Sequence, residues 1–135
     1  MKLGQHCLKV KENTVSQTAL IIEDEYAIRV VYETVLRRLG FEAIHAADGE
    51  AALSVLDYCT PALILLDVLL PKLDGLEVFK QIQAMPHLQH VPVVVITAHH
   101  EYQRDLALMP KDVFLVKPVR PRDLAQAAAG LVTVP

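Results

Sequence analysis

Five short, largely apolar segments punctuate the chain, and four of them stop abruptly at a polar or charged residue. Thr18-Ala19-Leu20-Ile21-Ile22 runs into Glu23-Asp24-Glu25, and Ala62-Leu63-Ile64-Leu65-Leu66 runs into Asp67. Pro92-Val93-Val94-Val95-Ile96 ends at Thr97, and Val113-Phe114-Leu115-Val116 at Lys117-Pro118. Phe41 to Ala46 is the fifth strand candidate. Continuous apolar runs of this length, without polar alternation, predict strands covered on both faces, as in a parallel sheet.

The intervening stretches carry the helical period that such a sheet needs. Ile28, Val31, Val35, Leu36 and Leu39 recur at helical spacing, and Gly40 closes the stretch as a stop signal. Asp48 is placed to cap a helix bearing Ala51, Ala52, Val55 and Leu56, and a third helix begins near Leu73-Asp74-Gly75. Asp123 to Leu131 forms a last, Ala-rich helix. Strands alternating with helices in this way predict an α/β domain with helices on both faces of the sheet.

Residues 1–17 show no clear period and are read as a flexible tail. The five β/α units then occupy 18–131, residues 132–135 form the C-terminal end, and a chain of 135 residues leaves no room for a second domain.

Composition excludes several classes of function. Hydrophobic residues make up 53% of the chain, far from the balance of a disordered protein. Thirteen basic against sixteen acidic side chains leave a net charge of −3, which argues against nucleic-acid binding by this chain. Cys7 and Cys59 are too few for a disulfide scaffold, lack metal-ligand spacing, and are read as reduced thiols. The longest apolar stretches fall far short of the ~20 residues of a membrane span. With no signal-peptide pattern at the N-terminus, the expected location is cytoplasmic.

In an open parallel sheet, ligands bind outside the carboxyl ends of the strands. The residues there are Glu23 and Asp24, Asp67, Thr97 and Lys117. Each has a bland reading: an N-cap, a strand-end hydroxyl, a solvated lysine, a helix-favouring acidic run. Together they assemble three carboxylates, a hydroxyl and an amine. Clustered carboxylates repel unless a cation neutralises them, and a hard divalent ion with oxygen ligands, Mg²⁺ for preference, does so.

These residues, in order, resemble the receiver domain of two-component response regulators. The likeness is carried by Ile22-Glu23-Asp24-Glu25, Leu65-Leu66-Asp67-Val68-Leu69-Leu70-Pro71, Leu73-Asp74-Gly75, Ile96-Thr97-Ala98 and Leu115-Val116-Lys117-Pro118, and it runs from about Thr18 to Leu131. The resemblance implies a flavodoxin-like three-layer sandwich with a five-stranded parallel sheet of order 2-1-3-4-5. It makes Asp67 the phosphoacceptor, attacking the phosphohistidine of a sensor histidine kinase or phosphotransfer protein. Glu23, Asp24, Asp67 and the backbone carbonyl of Leu69 would hold Mg²⁺. Thr97 and Lys117 would contact the phosphoryl oxygens, and Thr97 with Phe114 would form the switch; as a phenylalanine, Phe114 reads equally well as plain core.

The function implied is a phosphorelay switch and not an enzyme, catalysing only its own phosphorylation and dephosphorylation. Its output would pass to a downstream protein, or to self-association, through residues 99–122, a face bearing His100, Tyr102, Arg104, Lys111, Arg120 and Arg122. The chain departs from the family between Thr97 and Lys117, where His99 to Met109 is short for a fourth helix. An alternative is a haloacid-dehalogenase-type phosphatase, which also uses an aspartyl phosphate and Mg²⁺. That class needs a second acid two residues after the nucleophile, where this chain has Leu69.

Overall fold

The computed structural model describes residues 9–11, 14–70 and 73–131. Along the chain the elements are β1 (Lys9–Lys11), β2 (Thr14–Ile22), α1 (Tyr26–Arg38), β3 (Phe41–Ala46), α2 (Gly49–Leu56), β4 (Leu63–Asp67), α3 (Gly75–Ala84), β5 (Val93–Thr97), β6 (Val113–Val116) and α4 (Pro121–Leu131), with short 3-10 helices at Pro86–Leu88 and His100–Asp105. The parallel strands lie in the order β3-β2-β4-β5-β6. Counted without β1, this is the 2-1-3-4-5 order implied by the resemblance. Helices α1 and α4 cover one face of the sheet, α2 and α3 the other.

Side-chain alternation explains the two cores. Ala19, Ile21, Leu63, Leu65, Val94 and Ile96 point to the α1/α4 layer, while Leu20, Ile22, Ile64, Leu66, Val93 and Val95 point to the α2/α3 layer. Both sets are fully buried in the central strands β4 and β5. The expectation of burial on both faces fails at the edges: β3 and β6 are half-buried, because an edge strand has a sheet neighbour on one side only.

The termini of the helices follow the local signals. Asp48 accepts from the Ala51 amide at 2.8 Å and caps α2, and Asp74 caps α3 by accepting from the Leu76 amide at 2.9 Å. After α1 the chain turns through Gly40, whose φ of 98° suits a residue without Cβ. Between β5 and β6 the short segment forms only the 3-10 turn at His100–Asp105, in line with the missing helical length. The Lys117-Pro118 peptide is cis.

Three sequence readings are corrected. The supposed tail is strand over 9–11 and 14–17: β1 pairs antiparallel with the start of β2, with Val10 opposite Val15. Lys9-Val10-Lys11 and Thr14-Val15-Ser16 each place a valine between polar residues, a two-residue period too short to stand out in a polar stretch. Residues 1–8, 12–13 and 132–135, and Pro71 of the quoted motif, lie outside the described residues. On α1 the inward stripe is Tyr32, Val35 and Leu36, whereas Val31 is exposed. Cys59 is buried and disulfide-bonded, not a reduced thiol, and Cys7 lies outside the described residues.

Candidate functional site

Strand register brings the sequence-distant acids together. Ile22 is opposite Leu66, and Leu66 opposite Val95, so Glu23 and Asp67 are the next residues on adjacent strands. Glu23, Asp24 and Asp67 each present a carboxylate oxygen within 4.8 Å of the others. Glu23 and Asp67 are buried and Asp24 is exposed, so the cluster opens to solvent on one side.

Lys117 reaches into this cluster from the end of β6. Its Nζ donates to Asp67 Oδ2 at 2.8 Å and stands 3.6 Å from Glu23 Oε1. The other Asp67 oxygen, Oδ1, accepts from the Leu69 amide at 3.0 Å. Glu23 is fixed from its backbone: its amide donates to the Ala46 carbonyl, and its carbonyl accepts from Arg29 at 3.2 Å. Glu23 Oε2 accepts from the Glu25 amide at 3.2 Å, leaving Oε1 buried without a hydrogen bond.

Electrostatics follow from that enclosure. Burial first, then the neighbouring Asp67 carboxylate, push Glu23 up to about 7. Burial works against the Lys117 ammonium, but its hydrogen bond and attraction to Asp67, with Glu23 behind, hold it above the ordinary lysine value. A buried carboxylate oxygen without a partner, beside two more carboxylates, is a set of hard oxygen donors suited to a divalent cation.

Thr97 stands on the alternate face. It is fully buried, follows Val95 on the α2/α3 side, and its Oγ1 accepts from the His99 amide at 3.2 Å. The Thr97 carbonyl accepts from the Lys117 amide at 2.8 Å, which ties the two strand ends. Phe114 lies opposite Val95 and packs against the same core layer, so the two expected switch residues share a face. Leu69 is exposed at the rim. Its side chain supplies no acid.

One residue of the expected output face belongs elsewhere. Lys111 precedes β6, at the end of the sheet opposite the acids, where its Nζ donates to the Val91 carbonyl at 2.9 Å and to Asp112 at 3.0 Å. Tyr102 is half-buried against the core, its ring edge-on to His99 at 5.9 Å. Sequence reading missed Arg29, which holds the Glu23 carbonyl and lies 5.5 Å over the Tyr26 ring. The signal was a cation six residues after an acidic strand end, at the first turns of a helix.

The model of the response regulator receiver domain family matches residues 19–129. Alkaline phosphatase synthesis transcriptional regulatory protein PhoP of Bacillus subtilis (strain 168) is 37% identical over 112 residues, covering 82% of this chain and 46% of that protein. Sporulation initiation phosphotransferase F of the same organism is 31% identical over 87 residues, 64% of this chain and 68% of that protein. Among solved structures, the response regulator TrrA of Thermotoga maritima, in complex with Mg²⁺-BeF, superposes with a TM-score of 0.77 at 28% identity, covering 86% of this chain and 99% of that one. The receiver domain of a signal transduction histidine kinase from Syntrophus aciditrophicus gives 0.77 at 28% identity, covering 86% and 89%. The chain spans about half the length of the transcriptional regulators it matches.

Proposed function

The chain belongs to the response regulator receiver domain family, and on that basis we propose that Asp67 accepts a phosphoryl group from a phosphohistidine in a two-component phosphorelay. The observation that carries this reading is the 2.8 Å bond between Lys117 Nζ and Asp67 Oδ2 inside the acidic cluster. That bond sets an ammonium against a buried carboxylate at the strand ends, with two further acids beside it. Receiver domains of response regulators are signalling switches, and the matches give no ground for the phosphatase alternative, which Leu69 leaves without its second acid.

Phosphoryl transfer puts charge on equatorial oxygens, so positioning and positive charge supply most of the acceleration. An Asp67 oxygen attacks phosphorus, the O–P bond forms, and the N–P bond of the donor breaks with its electron pair left on the histidine nitrogen. Lys117 shifts from Asp67 to a phosphoryl oxygen, and Thr97 donates its hydroxyl to another. Glu23, Asp24, Asp67 and the Leu69 carbonyl would hold Mg²⁺, which supplies further positive charge; the Mg²⁺-BeF complex of the related TrrA supports that choice. The partners are a sensor histidine kinase or a phosphotransfer protein, with output to a downstream protein or a second copy through residues 99–122, Lys111 apart. The domain runs to residue 131 and takes in the whole of β2 from Thr14, with β1 paired to its start. Among the described residues no helix is long and apolar enough to cross a membrane, and a cytoplasmic location accords with a phosphohistidine donor.

Incubation with acetyl phosphate and Mg²⁺ tests the reading. Intact mass rises by one phosphoryl group in the wild type and not in Asp67→Asn. Labelling that survives the substitution would move the nucleophile elsewhere.

A further inference from the structure

The mechanism above leaves one buried polar side chain beside the site without a task. Tyr32, on α1, is 5% exposed, and its hydroxyl has no hydrogen-bond partner among the described residues. Two independent features direct it at the acids. First, helical side chains lean toward the helix N-terminus, and α1 begins at Tyr26, immediately after Glu23 and Asp24. A long side chain at Tyr32 therefore leans back up toward the strand ends. Second, strand alternation sends Glu23, Asp67 and Lys117 to the α1/α4 face, two residues after Ile21, Leu65 and Leu115, all of which pack in the layer that contains Tyr32. The phenol is thus directed at the site from the α1 side.

The electrostatics agree with this placement. Burial pushes the Tyr32 hydroxyl up to about 12, and Lys117, Glu23 and Asp67 are the charges that act on it. The phenol stays neutral, so it can sit beside the lysine without adding charge to the carboxylate cluster.

Resting on the reading of Asp67 as phosphoacceptor, we infer that Tyr32 is a positioning residue for Lys117, its hydroxyl oxygen accepting an ammonium N–H across one water. An ammonium has three N–H donors. In this structure Asp67 takes one, and Glu23 Oε1 at 3.6 Å takes none as a hydrogen bond. A water-bridged partner on the α1 side restricts the swing of a flexible four-carbon stem and keeps Nζ aimed at the reacting oxygens.

Tyr32→Phe keeps the ring and removes only the hydroxyl, so the test is the rate of phosphorylation by acetyl phosphate in wild type, Tyr32→Phe, Lys117→Ala and the double variant. The expected result is a three- to tenfold slower rate in Tyr32→Phe, about the effect of one hydrogen bond, with unchanged half-saturation by Mg²⁺. In the Lys117→Ala background Tyr32→Phe has no further effect, because the group it positions is gone. A wild-type rate in Tyr32→Phe overturns the inference, as does an equal loss in both backgrounds, which would mark a packing role. If the wild type itself takes no phosphoryl group at Asp67, the functional reading fails and the inference falls with it.

Discussion

The Lys117 ammonium divides itself unequally between two buried carboxylates: it bonds Asp67 Oδ2 at 2.8 Å and stands off Glu23 Oε1 at 3.6 Å. Burial, then the neighbouring Asp67 carboxylate, makes Glu23 the acid that resists ionisation, while Asp67 is the one that takes the ammonium's hydrogen bond. The expected behaviour of the site follows from it.

Mg²⁺ affinity depends on pH through Glu23. Its folded-state value of about 7 lies above the ordinary 4.5, so below about pH 7 a metal ion must displace a proton. Affinity, measured by calorimetry between pH 5.5 and 8, rises roughly tenfold per unit up to about 7 and then levels off. In Glu23→Gln the affinity is weaker and this slope is absent.

The same shift sets the stability of the metal-free protein. Between pH 4.5 and about 7 the native state binds a proton at Glu23 that the unfolded chain has released, so this group's contribution falls as pH rises. Thermal melts in chelator show Glu23→Gln gaining on the wild type across that window, with the difference closing below pH 4.5. Added Mg²⁺ narrows the difference at pH 7.

Lys117→Ala removes the cation from the buried pair. Phosphorylation by acetyl phosphate slows by roughly 10²-fold, as expected for loss of one preorganised charge at the transition state. Stability falls by about 1–3 kcal/mol at pH 8 in urea titrations. The loss is smaller at pH 6, where Glu23 can take up a proton instead.

Gly75→Ala tests the loop that carries the Leu69 amide to Asp67. A Cβ at Gly75 would run into the Val68 carbonyl oxygen, and the Gly75 amide donates to that same oxygen. Backbone cannot yield as a side-chain tip can, so the loop shifts. A loss of about 1–3 kcal/mol in urea unfolding is expected, with slower phosphorylation of Asp67.

Thr97→Ala separates phosphorylation from its transmission. Thr97 Oγ1 now holds the His99 amide, and it must give up that bond to reach a phosphoryl oxygen. Hydrogen exchange with beryllofluoride changes across residues 99–114 in the wild type. In Thr97→Ala it changes around Asp67 alone.

Much of this was legible in the sequence because it is local. Four apolar runs stopped by Glu23, Asp67, Thr97 and Lys117 announced parallel strands and the end of the sheet where chemistry gathers. Asp48 and Gly40 marked helix boundaries through hydrogen-bonding and conformational preferences that act within one turn. Short-range physics of this kind is written residue by residue.

What tertiary structure decided depends on neighbours that are distant in sequence. The stripe on α1 could have centred on Val31, since valine and tyrosine both tolerate burial, but packing against the sheet and α4 turned Tyr32 inward and left Val31 to solvent. Nothing near Glu23 in the chain says that it is buried with one oxygen unpartnered; Asp67, 44 positions away, and Lys117, 94 away, create that state through strand register. Likewise Lys111 looked like a member of the output face until the fold carried it to the other end of β6, where Val91 and Asp112 bind it. Pattern and propensity select which elements form. The distances between charges, and therefore their protonation, arise only when those elements pack and exclude water.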